Sequence, residues 1–309
     1  MRNSFINALE QEAERDSDII FLTADLGFQM IESFAKRFPK QFLNVGIAEQ
    51  NMVGMAAGMA LMGKKSICYT IATFMTMRTY EQVRNDICLH EANVKIVGVG
   101  GGFGYSMYGP THHPLEDVAI MRTLPGMTVI CPIDPNQTAA AVRAMLKHNG
   151  PVYLRLGKKG EPAIHTKEPR FQIGQGAVLR EGGDIAIIST GPITFEALEA
   201  AEILHAQGIQ LCVVAMPTVK PLDILLLDEI GRKIPYILTL EEGTIMGGFG
   251  SAIASYYLER GINLKGFYRL GTADRFVKRI GTADYLRAQF GLDGAGIAET
   301  ARDMVSSRR

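Results

Sequence analysis

Short apolar runs alternate with amphipathic stretches along almost the whole chain. Residues 3–15 read as a helix, 18–23 as a strand and 30–38 as a short helix. Residues 48–62 form a helix rich in Ala, Gly and Met, followed by a strand at 66–71 and an amphipathic helix over 79–92. A buried strand at 94–99 leads into a Gly-rich loop. A helix over 114–123, a strand at 127–131, a helix over 135–148 and a strand at 152–156 follow. Short apolar strands alternating with helices predict a parallel sheet covered on both faces. Residues 157–176 lose this periodicity, are rich in Lys, Glu, Pro and Gly, and read as a linker. The pattern then restarts with strands at 184–189, 210–215 and 236–240, helices over 194–207, 222–232 and 250–260, and a last strand and two helices. The expectation is an α/β chain of two domains, 1–158 and 177–309, joined by a linker at 159–176.

Composition narrows the partners more than the fold. Acidic and basic residues balance at 32 each, and no basic run stands out. Nothing in that balance calls for a nucleic acid or an anionic membrane. No apolar stretch approaches the ~18 residues of a membrane span. The first residues enter a helix-like pattern without a long apolar core, so no leader is expected. Cys68, Cys88, Cys131 and Cys212 are scattered, as suits buried free thiols in a reducing cytoplasm.

The most informative stretch is Asn44-Val45-Gly46-Ile47-Ala48-Glu49-Gln50-Asn51. It puts a carboxylate where a strand-like segment becomes a helix, and that helix carries small residues at three- and four-residue spacing, which let another helix approach closely. By spacing alone, Glu49 reads as an N-terminal carboxylate favoured by the helix dipole. Further motifs follow in order: Tyr69-Thr70-Ile71-Ala72-Thr73-Phe74 with Tyr80 and Arg84-Asn85; Gly109-Pro110-Thr111-His112-His113-Pro114; Leu124-Pro125-Gly126-Met127; Cys131-Pro132-Ile133-Asp134; Val219-Lys220-Pro221-Leu222-Asp223; and Glu241-Glu242-Gly243-Thr244-Ile245-Met246-Gly247-Gly248. Together they resemble the transketolases and the C-terminal half of 1-deoxyxylulose-5-phosphate synthase. The resemblance covers nearly the whole chain and implies a pyrimidine-binding domain followed by a transketolase C-terminal domain.

That resemblance implies a transferase using thiamine diphosphate, with Mg2+ holding the diphosphate, to move a two-carbon ketol unit between sugar phosphates. The cofactor carries the carbanion chemistry and the protein binds and tunes it. Glu49 would share a proton with a ring nitrogen of the aminopyrimidine, a role suited to an apolar, water-poor site. Phe74, Met77 and Tyr80 match positions lining the aminopyrimidine, and a thioether at 77 can still pack on a ring. Asp25 matches an aspartate near the cofactor across the subunit boundary. His112 matches a histidine that exchanges protons with substrate oxygens. Arg155 and Arg2 match arginines that hold the sugar phosphate, a task suited to a fork of donors. Taken singly, each also has an ordinary structural reading: core aromatic, core histidine, strand-end charge.

Two departures matter. Tyr108 stands where the family usually has an aspartate contacting a substrate hydroxyl, and Gly100 where it has a further histidine. The expectation is therefore a non-standard sugar phosphate. The family's Gly-Asp-Gly segment for metal and diphosphate does not occur in these residues. The metal ligands are expected on a partner, an N-terminal-type alpha subunit, in an assembly of two alpha and two beta chains that self-associates through the pyrimidine-binding domain. A decarboxylating enzyme with the same cofactor and a non-catalytic paralogue are the alternatives.

Overall fold

The computed structural model describes residues 1–27 and 30–306. Its first half carries β1 (Ile19–Thr23), β2 (Phe42–Asn44), β3 (Lys65–Ile71), β4 (Val94–Val99), β5 (Thr128–Ile130) and β6 (Val152–Leu156). Around them lie α1 (Arg2–Ala13), α2 (Glu32–Arg37), α3 (Glu49–Leu61), α4 (Tyr80–Gln82), α5 (Asp117–Thr123) and α6 (Pro135–Lys147). The second half carries β7 (Ala177–Arg180), β8 (Ile185–Ser189), β9 (Leu211–Ala215), β10 (Thr218–Lys220), β11 (Tyr236–Thr244) and β12 (Gly266–Thr272). Its helices are α7 (Thr194–His205), α8 (Ile224–Lys233), α9 (Phe249–Glu259), α10 (Ala283–Gln289) and α11 (Gly294–Ser306).

The strands make two sheets, ordered β10-β5-β6-β4-β3-β1-β2 and β12-β11-β8-β9-β7. Every neighbouring pair is parallel except β10 with β5 and β7 with β9, which are antiparallel edges. The central strands β4, β6, β8 and β9 are buried along their whole length. That is why they read as continuous apolar runs rather than as an alternation.

The expected α/β architecture is present, with three local differences. Both antiparallel edge strands escape the periodicity: β7 is only half-buried, and β10 is a three-residue strand ending in the partly exposed Lys220. β10 also crosses from the second half of the chain to the first sheet. One apolar cluster therefore runs from Leu22, Met52 and Val129 through Val219 to Val214 and Phe249. The third difference is the helix expected over 79–92. The chain instead forms a π-helical turn at Phe74–Arg78, the short α4, and a second π-helical stretch at Val83–Cys88. Two threonine hydroxyls donate to carbonyls inside this irregular region, Thr76 to Ala72 and Thr79 to Met75. Such hydroxyls compete with the regular helical ladder and favour bends, and π turns occur disproportionately at functional sites.

All four cysteines are buried free thiols, as expected. Burial pushes the Cys131 thiol up to about 12 and those of Cys88 and Cys212 up to about 11. They are inert at neutral pH. Among the described residues, no helix is long and apolar enough to cross a membrane.

Candidate active site

Open parallel sheets place ligands beyond the carboxyl ends of their strands, and the candidate residues gather there. Asp25 follows β1, Glu49 follows β2, Phe74 follows β3, the 100–112 loop follows β4 and Lys158 follows β6.

The loop after β2 is tied before it reaches Glu49. Asn44 Oδ1 accepts from the backbone N–H groups of Asp25 and Gly46, each at 3.0 Å, and Asn44 Nδ2 donates to Asp25 Oδ1 at 3.1 Å. Asp25 holds a φ of +50°, a left-handed conformation that an aspartate adopts more readily than most residues. Its side chain thus braces the loop leading to Glu49. Glu49 opens α3 and is only 4% exposed. Arg78 Nη1 donates to Glu49 Oε2 at 2.7 Å. The Arg78 guanidinium also lies over the Phe74 ring, 4.5 Å from its centre. The ring of Phe74 meets His112 edge-on at 5.3 Å. Glu49, Arg78, Phe74 and His112 therefore form one continuous line of contacts.

Tyr80 and Met77 sit differently from one another. Tyr80 packs on the core, and its hydroxyl donates to Ile120 O at 3.1 Å and lies 3.0 Å from Thr123 Oγ1, which fixes α5. Met77 is 42% exposed and available to a ligand or a neighbouring chain.

The 100–112 loop explains both sequence departures together. Gly100 has a φ of +79°, and a Cβ there would meet the Tyr105 ring at 2.0 Å. A histidine at this position is incompatible with Tyr105 folding back as it does. Tyr105 then meets Tyr108 at 5.9 Å and His112 at 6.2 Å, and Tyr108 lies 5.2 Å from His112. Tyr108 remains 61% exposed, so its face is open to a ligand. Thr111 Oγ1 lies 3.0 Å from His112 Nδ1, which leaves Nε2 as the ring nitrogen available for exchange. Burial, the neighbouring His113 and Lys158 hold the His112 imidazolium below its ordinary range. That shift favours the neutral ring, the form that can accept a proton. His113 points inward, 3% exposed, with Nε2 3.2 Å from Ser106 O.

Lys158 has no signal in its local sequence. Its ammonium sits over the Tyr105 ring at 4.4 Å and the Tyr108 ring at 5.2 Å, cation–π contacts that fix it beside His112. Arg2 Nε donates to Lys158 O at 2.7 Å. Burial and the nearby Arg2 charge both lower the Lys158 pKa. Two cations are thus held close together at one end of the aromatic wall. Arg155, expected at a sugar phosphate, has other partners. It is 6% exposed; its Nε donates to Asp117 Oδ2 at 2.7 Å and its Nη2 to Pro114 O at 3.0 Å and Glu242 O at 2.9 Å. It borders the same cavity as Lys158, with its guanidinium committed to these protein partners.

Residues 1–161 match the family model "Transketolase, pyrimidine binding domain", and residues 174–297 match "Transketolase, C-terminal domain". The chain belongs to the transketolase family. It is 39% identical to a putative transketolase C-terminal section of Methanocaldococcus jannaschii, over 97% of this chain and 94% of the relative. It is 36% identical to one of the subunits of the apulose-4-phosphate transketolase of Phocaeicola vulgatus, over 98% of this chain and 97% of the relative. A solved split-gene transketolase, described as an inactive beta4 tetramer, superposes with a TM-score of 0.92 at 38% identity, covering 100% of this chain and 99% of the other. The transketolase family implies thiamine diphosphate, and the split-gene relatives imply a partner subunit.

The residues present fit that cofactor. A buried carboxylate at a helix start, with a flat guanidinium donating to it and lying on Phe74, marks a place that accepts a planar nitrogen donor.

Proposed function

We propose that this transketolase-family chain is the beta-type subunit of a split transketolase that moves a two-carbon ketol unit between sugar phosphates. The observation that carries the reading is the line of contacts from buried Glu49 through Arg78 and Phe74 to His112 at the carboxyl edge of the first sheet. Thiamine diphosphate, when bound, supplies the nucleophilic carbon and the electron sink. Glu49 holds the pyrimidine nitrogen and shares a proton with it. Phe74 and Met77 give that ring a flat apolar wall. Neutral His112 takes and returns the proton of a substrate hydroxyl. The Mg2+ ligands belong to an alpha-type partner, in a cytoplasmic assembly of two alpha and two beta chains. The open face of α3 supports association through the pyrimidine-binding half, since a Cβ at Gly54 or Gly58 would meet nothing within 4 Å. The domain limits stay at 1–158 and 177–309.

Arg2 and Lys158 hold the sugar's anionic end, and Tyr108 shapes the hydroxyl-bearing part. Lysine is a sound phosphate ligand as a point charge. Lys158→Met is expected to raise KM for a phosphorylated acceptor roughly 10- to 100-fold, the worth of a charged hydrogen bond. KM for the unphosphorylated sugar should stay nearly unchanged. Equal KM shifts for both would remove Lys158 from phosphate binding.

Tyr108 presents a bulky ring where an aspartate would accept a hydroxyl, which favours a sugar phosphate of unusual shape. Tyr108→Asp is expected to change the ranking of acceptors by about tenfold, because a side chain that hydrogen-bonds a substrate hydroxyl discriminates against sugars that lack it. An unaltered ranking across a panel of ketose and aldose phosphates would refute the role. The parent experiment is ketol transfer by this chain alone and mixed with its alpha-type partner, with thiamine diphosphate and Mg2+. Activity is expected only in the mixture. Pyruvate consumption instead would make it a decarboxylating enzyme.

A further inference from the structure

Arg78 has no role in the chemistry just described, yet it touches both residues that define the pyrimidine site. Its Nη1 lies 2.7 Å from Glu49 Oε2, and its Cζ stands 4.5 Å from the centre of the Phe74 ring. The Glu49 side chain is 4% exposed while that of Arg78 is 46% exposed, so Arg78 covers the carboxylate from the solvent side. A guanidinium is planar, delocalised, rich in N–H donors and inclined to stack on aromatic faces. An aminopyrimidine shares the flat shape, the stacking preference and the ability to donate to a carboxylate.

We propose that Arg78 occupies the aminopyrimidine's place in the cofactor-free chain and has to leave Glu49 and Phe74 before thiamine diphosphate can seat. This rests on Glu49 being the pyrimidine-binding carboxylate. Two flat groups cannot stack on one face of Phe74 at once, so occupancy of that face by one excludes the other. The local backbone is suited to such movement. Arg78 closes a π-helical turn, and the next residue, Thr79, has a φ of −108° before α4 begins. Gln50 Nε2 donates to Arg78 O at 3.1 Å, which ties the backbone at this point to α3 while leaving the long side chain free to swing. The consequence is protective. A subunit without partner and cofactor keeps its buried carboxylate paired, and a buried carboxylate without a partner is costly.

The test is a calorimetric titration of thiamine diphosphate, with Mg2+, into the chain assembled with its alpha-type partner. Arg78→Met removes the competing donor while keeping a long apolar side chain. The expected result is a Kd lower by about fivefold, the order set by a partly exposed ion pair. Arg78→Lys keeps the charge but loses the flat fork, and is expected to fall between wild type and Arg78→Met. It also serves as the reading should the methionine variant fail to assemble. An unchanged or higher Kd in the variant that assembles would mean that Arg78 does not compete and would overturn the inference, while tight wild-type binding would leave the functional assignment standing. Absence of binding by wild type and variants alike would overturn both.

Discussion

Glu49→Gln should lower ketol transfer in the assembled enzyme by about 10³-fold, within the range for losing a positioned proton-transfer group. The substitution keeps the volume and leaves an acceptor oxygen for Arg78, so the start of α3 should still form. What would be lost is the carboxyl proposed to share a proton with the pyrimidine nitrogen. The site gives no substitute among the described residues: Glu49 opens its helix, is 4% exposed, and faces the Arg78 cation rather than a second acid. The measurement is kcat in the reconstituted complex at saturating cofactor, with the thermal midpoint recorded in parallel. Activity within a few-fold of wild type, with an intact fold, would take Glu49 out of the chemistry.

The second large effect concerns stability. Arg155→Met should lower the stability of the chain by about 3–5 kcal/mol, the cost of breaking a buried pair by removing one member. Asp117 is fully buried; its Oδ2 receives both Arg155 Nε and the Tyr153 hydroxyl, while its Oδ1 has no hydrogen-bond partner among the described residues. Methionine fills much of the volume but leaves that carboxylate without its cation. It also strands the carbonyls of Pro114 and Glu242, one from each half of the chain. A fall of about 10 °C or more in the thermal midpoint is the expected readout. An unchanged midpoint, accompanied by a large rise in KM for sugar phosphates, would return Arg155 to the phosphate role that its sequence context indicates.

Arg155 also shows where sequence reading stops. It sits in β6, buried at every position, inside the run Val152-Tyr153-Leu154-Arg155-Leu156. An arginine embedded in an apolar strand has to be paired. That signal is present in the sequence, but its partner Asp117 lies 38 residues away and is reached only through the fold. Glu49, Phe74 and His112 are legible because each sits in a short motif whose neighbours specify it. Lys158 is not, because its neighbours Tyr105, Tyr108 and His112 meet it only through the pairing of β4 with β6, where Val99 lies opposite Leu156. The same pairing explains Gly100: its local sequence shows only a missing histidine, whereas the structure shows the space taken by the Tyr105 ring. The alternation of helices and strands reveals the architecture because burial on both faces leaves a strong apolar imprint. The edge strands β7 and β10 lie at the sheet margins, where one face or one end stays open to solvent and leaves a weaker imprint.

The path of β10 has a consequence for how this polypeptide can be divided. Thr218 and Lys220 pair with Ile130 and Val129, and the Lys220 ammonium donates to the carbonyls of Arg122 and Leu124. The later half of the chain thus supplies the border strand of the earlier one. Cutting the gene at the linker would leave a bare strand edge on the first product, the kind of surface through which sheets aggregate. The two family-model segments within this chain are therefore poor candidates for recombination as independent cassettes, and an exchange between relatives should carry both across together.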